Sequence, residues 1–259
     1  MFKKFFCAAL LFASSSSLVQ ATIVVFETSH GDIQVNLFDQ STPKTVANFL
    51  KYVDEQHYTN SIIHRAVPNF VVQGGGYNFE GEWPLTRKTT NPAVINEPVY
   101  SNVKGTIAMA KLGNNPNSAT DQWFFNLVDS SAGNPKLDTT NGGFTVFGQV
   151  IGDGMTVLEK IAKLTLCNAN GLQDIPMVAD TTQTCADLAT PGLENFVVLK
   201  QITIIDSSAV TDANLTPVKN TLLNKAPTQT VSDSSGGTIV YLSLFSLLLL
   251  LVRRRVINH

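Results

Sequence analysis

Apolar and polar positions alternate in short runs along residues 22–206, and glycine, asparagine and proline separate the runs. Ile33, Val35 and Leu37 alternate with polar residues, and this period of two indicates a strand with one buried face. Similar runs predict strands at Ile23–Thr28, 62–65, 70–73, 105–109, 124–127, 145–150 and 196–205. Many short strands of this kind favour a barrel or a sandwich.

Two segments repeat their apolar residues every three or four positions, which is the period of an α-helix. The first begins with Thr42, a suitable N-cap residue, and Pro43, which is favoured at the first helical position. Its apolar face consists of Val46, Phe49, Leu50 and Val53. The second helix is predicted from about residue 154 to 164, with an inward face of Val157, Leu158, Ile161 and Ala162.

Residues 1–21 have the three parts of a secretory signal peptide. Lys3 and Lys4 are followed by an apolar run over residues 5–12 and by the small-residue cleavage site Val19-Gln20-Ala21. The run is too short to cross about 30 Å of hydrocarbon. We therefore expect export and cleavage near Ala21, with a permanent N-terminal anchor as the alternative.

Residues 236–259 form a second end with unusual composition. Gly236-Gly237 precede an uncharged, apolar stretch over residues 238–252, and Arg253-Arg254-Arg255 follow directly. The stretch predicts a transmembrane helix in the inner membrane, with the arginines on the cytoplasmic side. The end also resembles the GlyGly-CTERM sorting signal of Gram-negative bacteria, which implies cleavage near the glycines by a rhomboid-type intramembrane protease. A permanent anchor and a buried core helix are the alternatives.

The intervening residues 207–235 are rich in Ser, Thr, Asn, Asp and Pro, which predicts a flexible linker, with a short helix at 218–224 as the alternative. One domain, residues 22–206, remains. The whole chain carries 18 basic and 20 acidic residues. Without the two ends, 13 basic residues face 20 acidic ones, a net charge of −7. This acidic body argues against nucleic acid or an anionic surface as a partner.

Three cysteines are present, and Cys7 leaves with the signal peptide. Cys167 and Cys185 remain in a loop-like region between the second helix and the last strand. An even number in an oxidising compartment is most simply explained by a disulfide. Two free thiols are the alternative.

The usual catalytic motifs are missing from the sequence. It contains four histidines but neither an HExxH nor a Cys-x-x-Cys pattern, and neither a Gly-x-Ser-x-Gly elbow nor a P-loop. We therefore expect no metal site and no cofactor. The informative stretch is 63–76, which places Arg65 beside apolar strand residues and ahead of three glycines.

Four blocks in a fixed order resemble the cyclophilin-type peptidyl-prolyl isomerases, particularly their bacterial periplasmic branch. They are IHRAVPNFVVQGGG at 63–76, GTIAMA at 105–110, NSATDQWFFN at 117–126 and FTVFGQV at 144–150. The resemblance spans roughly residues 22–206. It implies an all-β fold, a closed eight-stranded antiparallel barrel capped by two α-helices, with a substrate groove on the outer face.

The resemblance also implies roles for individual residues. Arg65 falls on the catalytic arginine, and Gln73 on the residue that hydrogen-bonds the substrate backbone. The proline-pocket positions are Phe70, Val71, Phe124 and Leu137, and the groove beside them is lined by Ala110, Lys111, Gln122 and Phe144.

Three positions depart from the family pattern. Val71 replaces a frequent methionine, which should shorten the pocket. Phe144 stands where many members have histidine, and Lys136 where an aromatic residue, often tryptophan, precedes the leucine.

The implied reaction is rotation about an X–Pro bond, whose barrier of about 18–20 kcal/mol comes from partial double-bond character. It needs no nucleophile and no metal. A fixed guanidinium can donate to the prolyl nitrogen as that atom regains its lone pair, and Arg65 stays charged. His64 should face the opposite side of the strand, so we expect it to be structural and hydrogen-bonded rather than a general base.

The sequence thus predicts an isomerase that acts on proline-containing polypeptides during the folding of exported proteins. Its location would be the periplasm, a membrane anchor, or the cell surface or medium after C-terminal processing. Two alternatives are a proline-peptide binding module without useful catalysis and a surface-displayed adhesive domain.

Overall fold

The fold is built almost entirely from short β-strands. The computed structural model describes residues 22–132, 136–208 and 215–223. Its strands are β1 (Ile23–Thr28), β2 (Gly31–Leu37), β3 (Ser61–Ile62), β4 (Arg65–Val67), β5 (Val71–Gly74), β6 (Tyr77–Asn78), β7 (Thr86–Arg87), β8 (Thr106–Met109), β9 (Trp123–Asn126), β10 (Val146–Ile151), β11 (Thr165–Ala169), β12 (Leu172–Met177) and β13 (Val198–Asp206). The helices are α1 (Pro43–Asp54) and α2 (Gly154–Ile161), with single 3₁₀ turns at Thr140–Gly142 and Leu193–Asn195.

Eleven of these strands form one antiparallel sheet in the order β4-β5-β9-β8-β10-β2-β1-β13-β3-β6-β7, while β11 pairs only with β12. The all-β class with a few helices, predicted from the sequence, is confirmed. The closed eight-stranded barrel is not evident from the strand order, because the order has two ends, at β4 and β7. The paired strands therefore describe a curled sheet around the core.

The main core fills the inside of this curl. On β2 the predicted apolar positions Ile33, Val35 and Leu37 are all buried, as the period of two requires. The Phe26 ring on β1 lies 5.8 Å from the Phe49 ring on α1. Each large apolar side chain buried here stabilises the fold by about 1.5–3 kcal/mol. The main core also includes Trp123, Phe125, Phe147, Leu158 and Ile161.

Both predicted helices are present. The first begins at Pro43, as predicted, but the Thr42 hydroxyl donates to the Phe38 carbonyl and does not cap the helix. The Glu97 carboxylate instead accepts from the backbone N–H of Thr45 at 2.9 Å. A carboxylate at a helix N-terminus is favoured by the helix dipole, so a distant residue performs the capping role that the sequence assigned to Thr42. The second helix ends at Ile161, three residues before the predicted end.

The region between α2 and β13, predicted to be loop-like, contains the β11–β12 hairpin. Its turn is Asn170-Gly171, both with positive φ angles of 51° and 82°. Cys167 on β11 is joined to Cys185 by a disulfide, with 5.5 Å between the Cα atoms. The hairpin closes a second cluster, which consists of Ile62, Leu85, Cys167, Ile175, Met177, Leu188, Phe196 and Val198.

Part of the predicted linker lies against the domain. Within residues 215–223, Lys219 forms an antiparallel bridge with Tyr100, and the segment ends in a bend at residues 222–223. Residues 218–223 are therefore not helical, contrary to the alternative of a helix at 218–224. Within the described part of the chain, no helix is long and apolar enough to cross a membrane. The predicted signal peptide, residues 1–21, and the predicted transmembrane segment, residues 236–259, lie outside the described residues.

Candidate active site

A row of paired residues crosses the outer face of the sheet. Arg65 on β4 pairs with Gln73 on β5, Gln73 with Phe124 on β9, and Phe124 with Ala108 on β8. Their neighbours along each strand point the other way, and Ala66, Val72, Phe125 and Ile107 are buried in the main core. Strand alternation therefore places the candidate site residues on the outer side of the sheet and the core residues on the inner side.

An apolar pocket of about 240 Å³ opens beside this row. Its floor belongs to an outer cluster of buried residues, which consists of Phe38, Val71, Tyr100, Ala108, Phe124, Leu137 and Val146. The pocket brings together nine of the ten site residues predicted from the sequence, and Thr140 in addition. The nine are Arg65, Phe70, Val71, Gln73, Ala110, Lys111, Phe124, Leu137 and Phe144.

Arg65 lies at the rim of the pocket and is half-buried. Its guanidinium carbon is 5.9 Å from the centre of the Phe70 ring, close enough for a cation–π contact. Among the described residues, no hydrogen bond or ion pair engages the guanidinium. Its five N–H donors are therefore available to a ligand in the pocket.

Gln122 is the predicted site residue that lies outside this pocket. It lines an adjoining cavity of about 300 Å³, to which Gln73 also contributes. The Gln73 amide nitrogen donates to the Gln122 side-chain oxygen at 2.9 Å. Among the described residues, the side-chain oxygen of Gln73 makes no hydrogen bond, so it is available as an acceptor. Gln122 therefore orients Gln73.

Asp121, the residue directly before Gln122, belongs to a buried ion-pair network. The Asp121 carboxylate is fully buried and accepts two hydrogen bonds from the Arg87 guanidinium, at 2.7 and 2.8 Å, and His57 Nε2 lies 3.1 Å from it. Burial alone would raise the pKa of Asp121, but the hydrogen bonds from His57 and Arg87 outweigh it and lower the pKa to about 2. Arg87 also donates to the Gly76 carbonyl at 2.8 Å.

The glycine segment packs closely against the same network. Gly75 has a φ of +94°, and a Cβ atom there would lie 2.6 Å from the Asp121 carbonyl oxygen. The sequence did not point to His57, Arg87 or Asp121, because these residues are far apart along the chain. The one available signal was that Asp121 directly precedes Gln122.

Lys111 contacts the pocket wall and is not free in the groove. Its Nζ atom donates to the carbonyls of Asn141 and Gly143, at 2.9 and 2.6 Å, and lies 4.7 Å from the centre of the Phe144 ring. Burial lowers the pKa of Lys111 to about 8. Its contacts hold the turn that precedes Phe144.

His64 is buried and does not line the apolar pocket. As expected, it is a structural residue with hydrogen bonds to the Ile62 backbone and the Gln122 side chain, although its Nδ1 atom has no short, well-aligned partner among the described residues. The ring packs edge-on against Tyr77 at 4.8 Å. Burial lowers its pKa to about 4. The strand is interrupted at Ile63-His64, so His64 and Arg65 both line a separate cavity beside Gly171–Gln173.

The fold and this site define a protein of the cyclophilin class. Residues 23–183 match the family model for cyclophilin-type peptidyl-prolyl cis-trans isomerases, which covers more than half of the chain. The chain therefore belongs to this family.

Two bacterial relatives are peptidyl-prolyl cis-trans isomerases by name. The chain is 40% identical to peptidyl-prolyl cis-trans isomerase B of Escherichia coli over 157 residues, which is 60% of this chain and 92% of that protein. It is 37% identical to peptidyl-prolyl cis-trans isomerase A of Dickeya dadantii over 169 residues, 64% of this chain and 84% of that protein. A solved cyclophilin-type isomerase of Cryptosporidium parvum is 22% identical, with a TM-score of 0.49, and the alignment covers 72% of this chain and 98% of that one.

Proposed function

We propose that this chain catalyses X–Pro isomerisation during the folding of exported proteins. The chain is a cyclophilin-type peptidyl-prolyl cis-trans isomerase, as its family and its relatives at 36–40% identity indicate. The observation that carries the assignment of the site is the position of Arg65 at the rim of an apolar pocket, where no described residue hydrogen-bonds its guanidinium.

The pocket and Arg65 can act together on a twisted amide. The apolar side chains around Phe124 would grip the proline ring, while the Gln73 carboxamide would hold a neighbouring backbone group of the peptide. As the C–N bond rotates, resonance is lost and the prolyl nitrogen regains a lone pair. The Arg65 guanidinium then donates to that nitrogen, and it does so more strongly in the twisted state than in either planar isomer. Such differential binding lowers the barrier.

No proton transfer is required of the surrounding side chains. His64 is neutral at physiological pH, because burial lowers its pKa to about 4. It also lies outside the pocket. An arginine guanidinium has five N–H donors and no acceptor, so it cannot serve as a general base. The site therefore acts through positioning and electrostatics rather than through acid–base catalysis.

The closed eight-stranded barrel implied by the family resemblance is part of the proposal. Only Ile63 and His64 separate β3 from β4, and both contribute backbone hydrogen bonds: Ile63 N–H to Val197 O at 3.0 Å, and His64 N–H to Gln73 O at 3.2 Å. Residues 61–67 would then act as one strand between β13 and β5, which joins eight strands in a ring. Strong amide-exchange protection at Ile63 and His64 would support closure, and rapid exchange there would contradict it.

The proposal of export and C-terminal processing is based on the sequences of the two chain ends. We propose cleavage near Ala21, followed by membrane attachment through residues 236–259 and release by a rhomboid-type protease. The mass of the native protein tests this directly. A product that ends near Gly237 supports processing, whereas one that ends at His259 means a permanent anchor. Replacement of Gly236 and Gly237 by leucine should keep a processed protein in the membrane fraction.

An isomerase assay on the purified protein with an X–Pro peptide tests the catalytic proposal. Arg65→Ala should lower kcat/KM by about tenfold or more. The fold should be retained, because within the described residues the Arg65 side chain makes no hydrogen bond and its backbone pairing in β4 is unaffected. Lys200→Ala, an exposed change on β13, is the matched control. Peptide binding without turnover by the unaltered chain would indicate a binding module, and neither binding nor turnover would favour an adhesive domain.

A further inference from the structure

The segment 215–223, here called the C-terminal strap, lies beyond both the family match and the predicted domain end at 206. Its residues 218–220 run antiparallel beside residues 99–101. The Ser101 N–H donates to Val218 O at 2.8 Å, and the Asn220 N–H donates to Val99 O at 2.9 Å. The Ser101 hydroxyl adds a bond to Lys219 O at 3.2 Å. The strap is therefore held by one antiparallel bridge with two backbone hydrogen bonds and one side-chain hydrogen bond, rather than by a single contact.

Side chains of the strap contact the outer cluster, which forms the pocket floor, and the residue next to Leu137. Leu215 packs against the outer cluster, which contains Val71, Phe124 and Leu137 from the pocket floor. The Asn220 side-chain nitrogen donates to Asp138 O at 2.9 Å. Lys219 Nζ lies 5.6 Å from the centre of the Tyr100 ring.

Asp138 is the residue next to Leu137, and it is held on two sides. Its buried carboxylate accepts from the backbone N–H and the side-chain nitrogen of Asn102, at 2.7 and 3.1 Å. Its carbonyl accepts from Asn220. Leu137 and Phe144 both line the proline pocket, here called its Leu137–Phe144 wall. The Phe144 N–H donates to Leu137 O at 2.9 Å, so a backbone hydrogen bond joins the two residues.

We infer that the strap positions the Leu137–Phe144 wall of the proline pocket, and that Asn220 is a positioning residue for substrate binding. The inference rests on the proposed isomerase function. Leu137 grips the substrate ring equally in the ground state and in the twisted state. Loosening the wall should therefore raise KM and leave kcat nearly unchanged.

The test uses three variants of the full chain. Asn220→Ala removes the donor to Asp138 O, and Asn220→Asp replaces it with an acceptor that faces the same carbonyl. Val218→Ala is the matched control, because its side chain is exposed and its backbone bond is unaffected. We expect KM for an X–Pro peptide to rise about threefold in Asn220→Ala, more in Asn220→Asp, and not in Val218→Ala.

Amide hydrogen exchange on the same proteins gives a readout that does not depend on activity. Exchange at the Phe144 amide should become faster in both Asn220 variants, while the core amide of Phe125 stays protected. Unchanged KM and unchanged Phe144 exchange would overturn the inference. Equal loss of protection at Phe125 would also overturn it, because it would show general destabilisation. An unaltered chain without isomerase activity would refute the proposed function instead, and the exchange at Phe144 would still test the strap.

Discussion

Asp121→Asn tests whether the buried network behind Gln122 contributes to stability in the way its geometry indicates. The pKa of Asp121 lies at about 2, against an ordinary value of 3.8. At about 1.36 kcal/mol per pH unit, this interval corresponds to about 2–3 kcal/mol of unfolding free energy. Because the folded-state pKa is lowered, the contribution is present above pH 3.8 and is lost as the pH falls toward 2. The asparagine variant should therefore be less stable by this amount at neutral pH.

Urea unfolding followed by circular dichroism, at a series of pH values, measures the effect. The gap between wild type and Asp121→Asn should shrink to about a third of its neutral value near pH 2.5. Asp54→Asn, which alters an exposed carboxylate, is the control and should show little change at either pH. A gap that stays constant with pH would refute the reasoning, since the hydrogen bonds from His57 and Arg87 would then not set the ionisation of Asp121.

Three further predictions concern the disulfide, the pocket and the histidine. Serine at both Cys167 and Cys185 should lower the unfolding free energy by about 3 kcal/mol, as expected for a separation of 18 residues, and identical urea midpoints would contradict this. Leu137→Ala should raise KM for an X–Pro peptide by about fivefold through lost apolar contact, and an unchanged KM would remove Leu137 from the pocket. Because the pKa of His64 is about 4, kcat/KM for an uncharged peptide should stay level between about pH 5 and pH 7, and a rise near pH 6 would point to a base.

The local pattern of apolar and polar residues was sufficient to predict most strands of the sheet and the first residue of α1. The period of two in β2 and the proline at the first position of α1 depend only on neighbouring residues, so one sequence can reveal them. The cap of α1 could not be found in this way, because Glu97 rather than Thr42 supplies it. The β11–β12 hairpin was missed although Asn170-Gly171 is a dipeptide typical of a tight hairpin turn. Its runs are short and interrupted by polar residues, which weakened the signal for strands.

Contacts between distant residues could not be predicted in this way. Arg87 and Asp121 are 34 residues apart, and the strap pairs with a segment more than a hundred residues earlier. The predicted pocket residues came from the family resemblance. The residues that hold them in place, including Asn220, carry no periodic signal, because their role depends on which surface the folded chain brings to them.

The two tryptophans belong to separate hydrophobic clusters, one fully buried and one partly buried, and make two independent optical probes. Trp123 is fully buried in the main core, with its ring 5.0 Å from that of Phe26. Trp83 packs on the second cluster, 5.3 Å from Phe196. Neither tryptophan lines the proline pocket. Fluorescence of single-tryptophan variants can therefore show whether the disulfide-bearing cluster melts before the sheet interior, without interference from bound peptide.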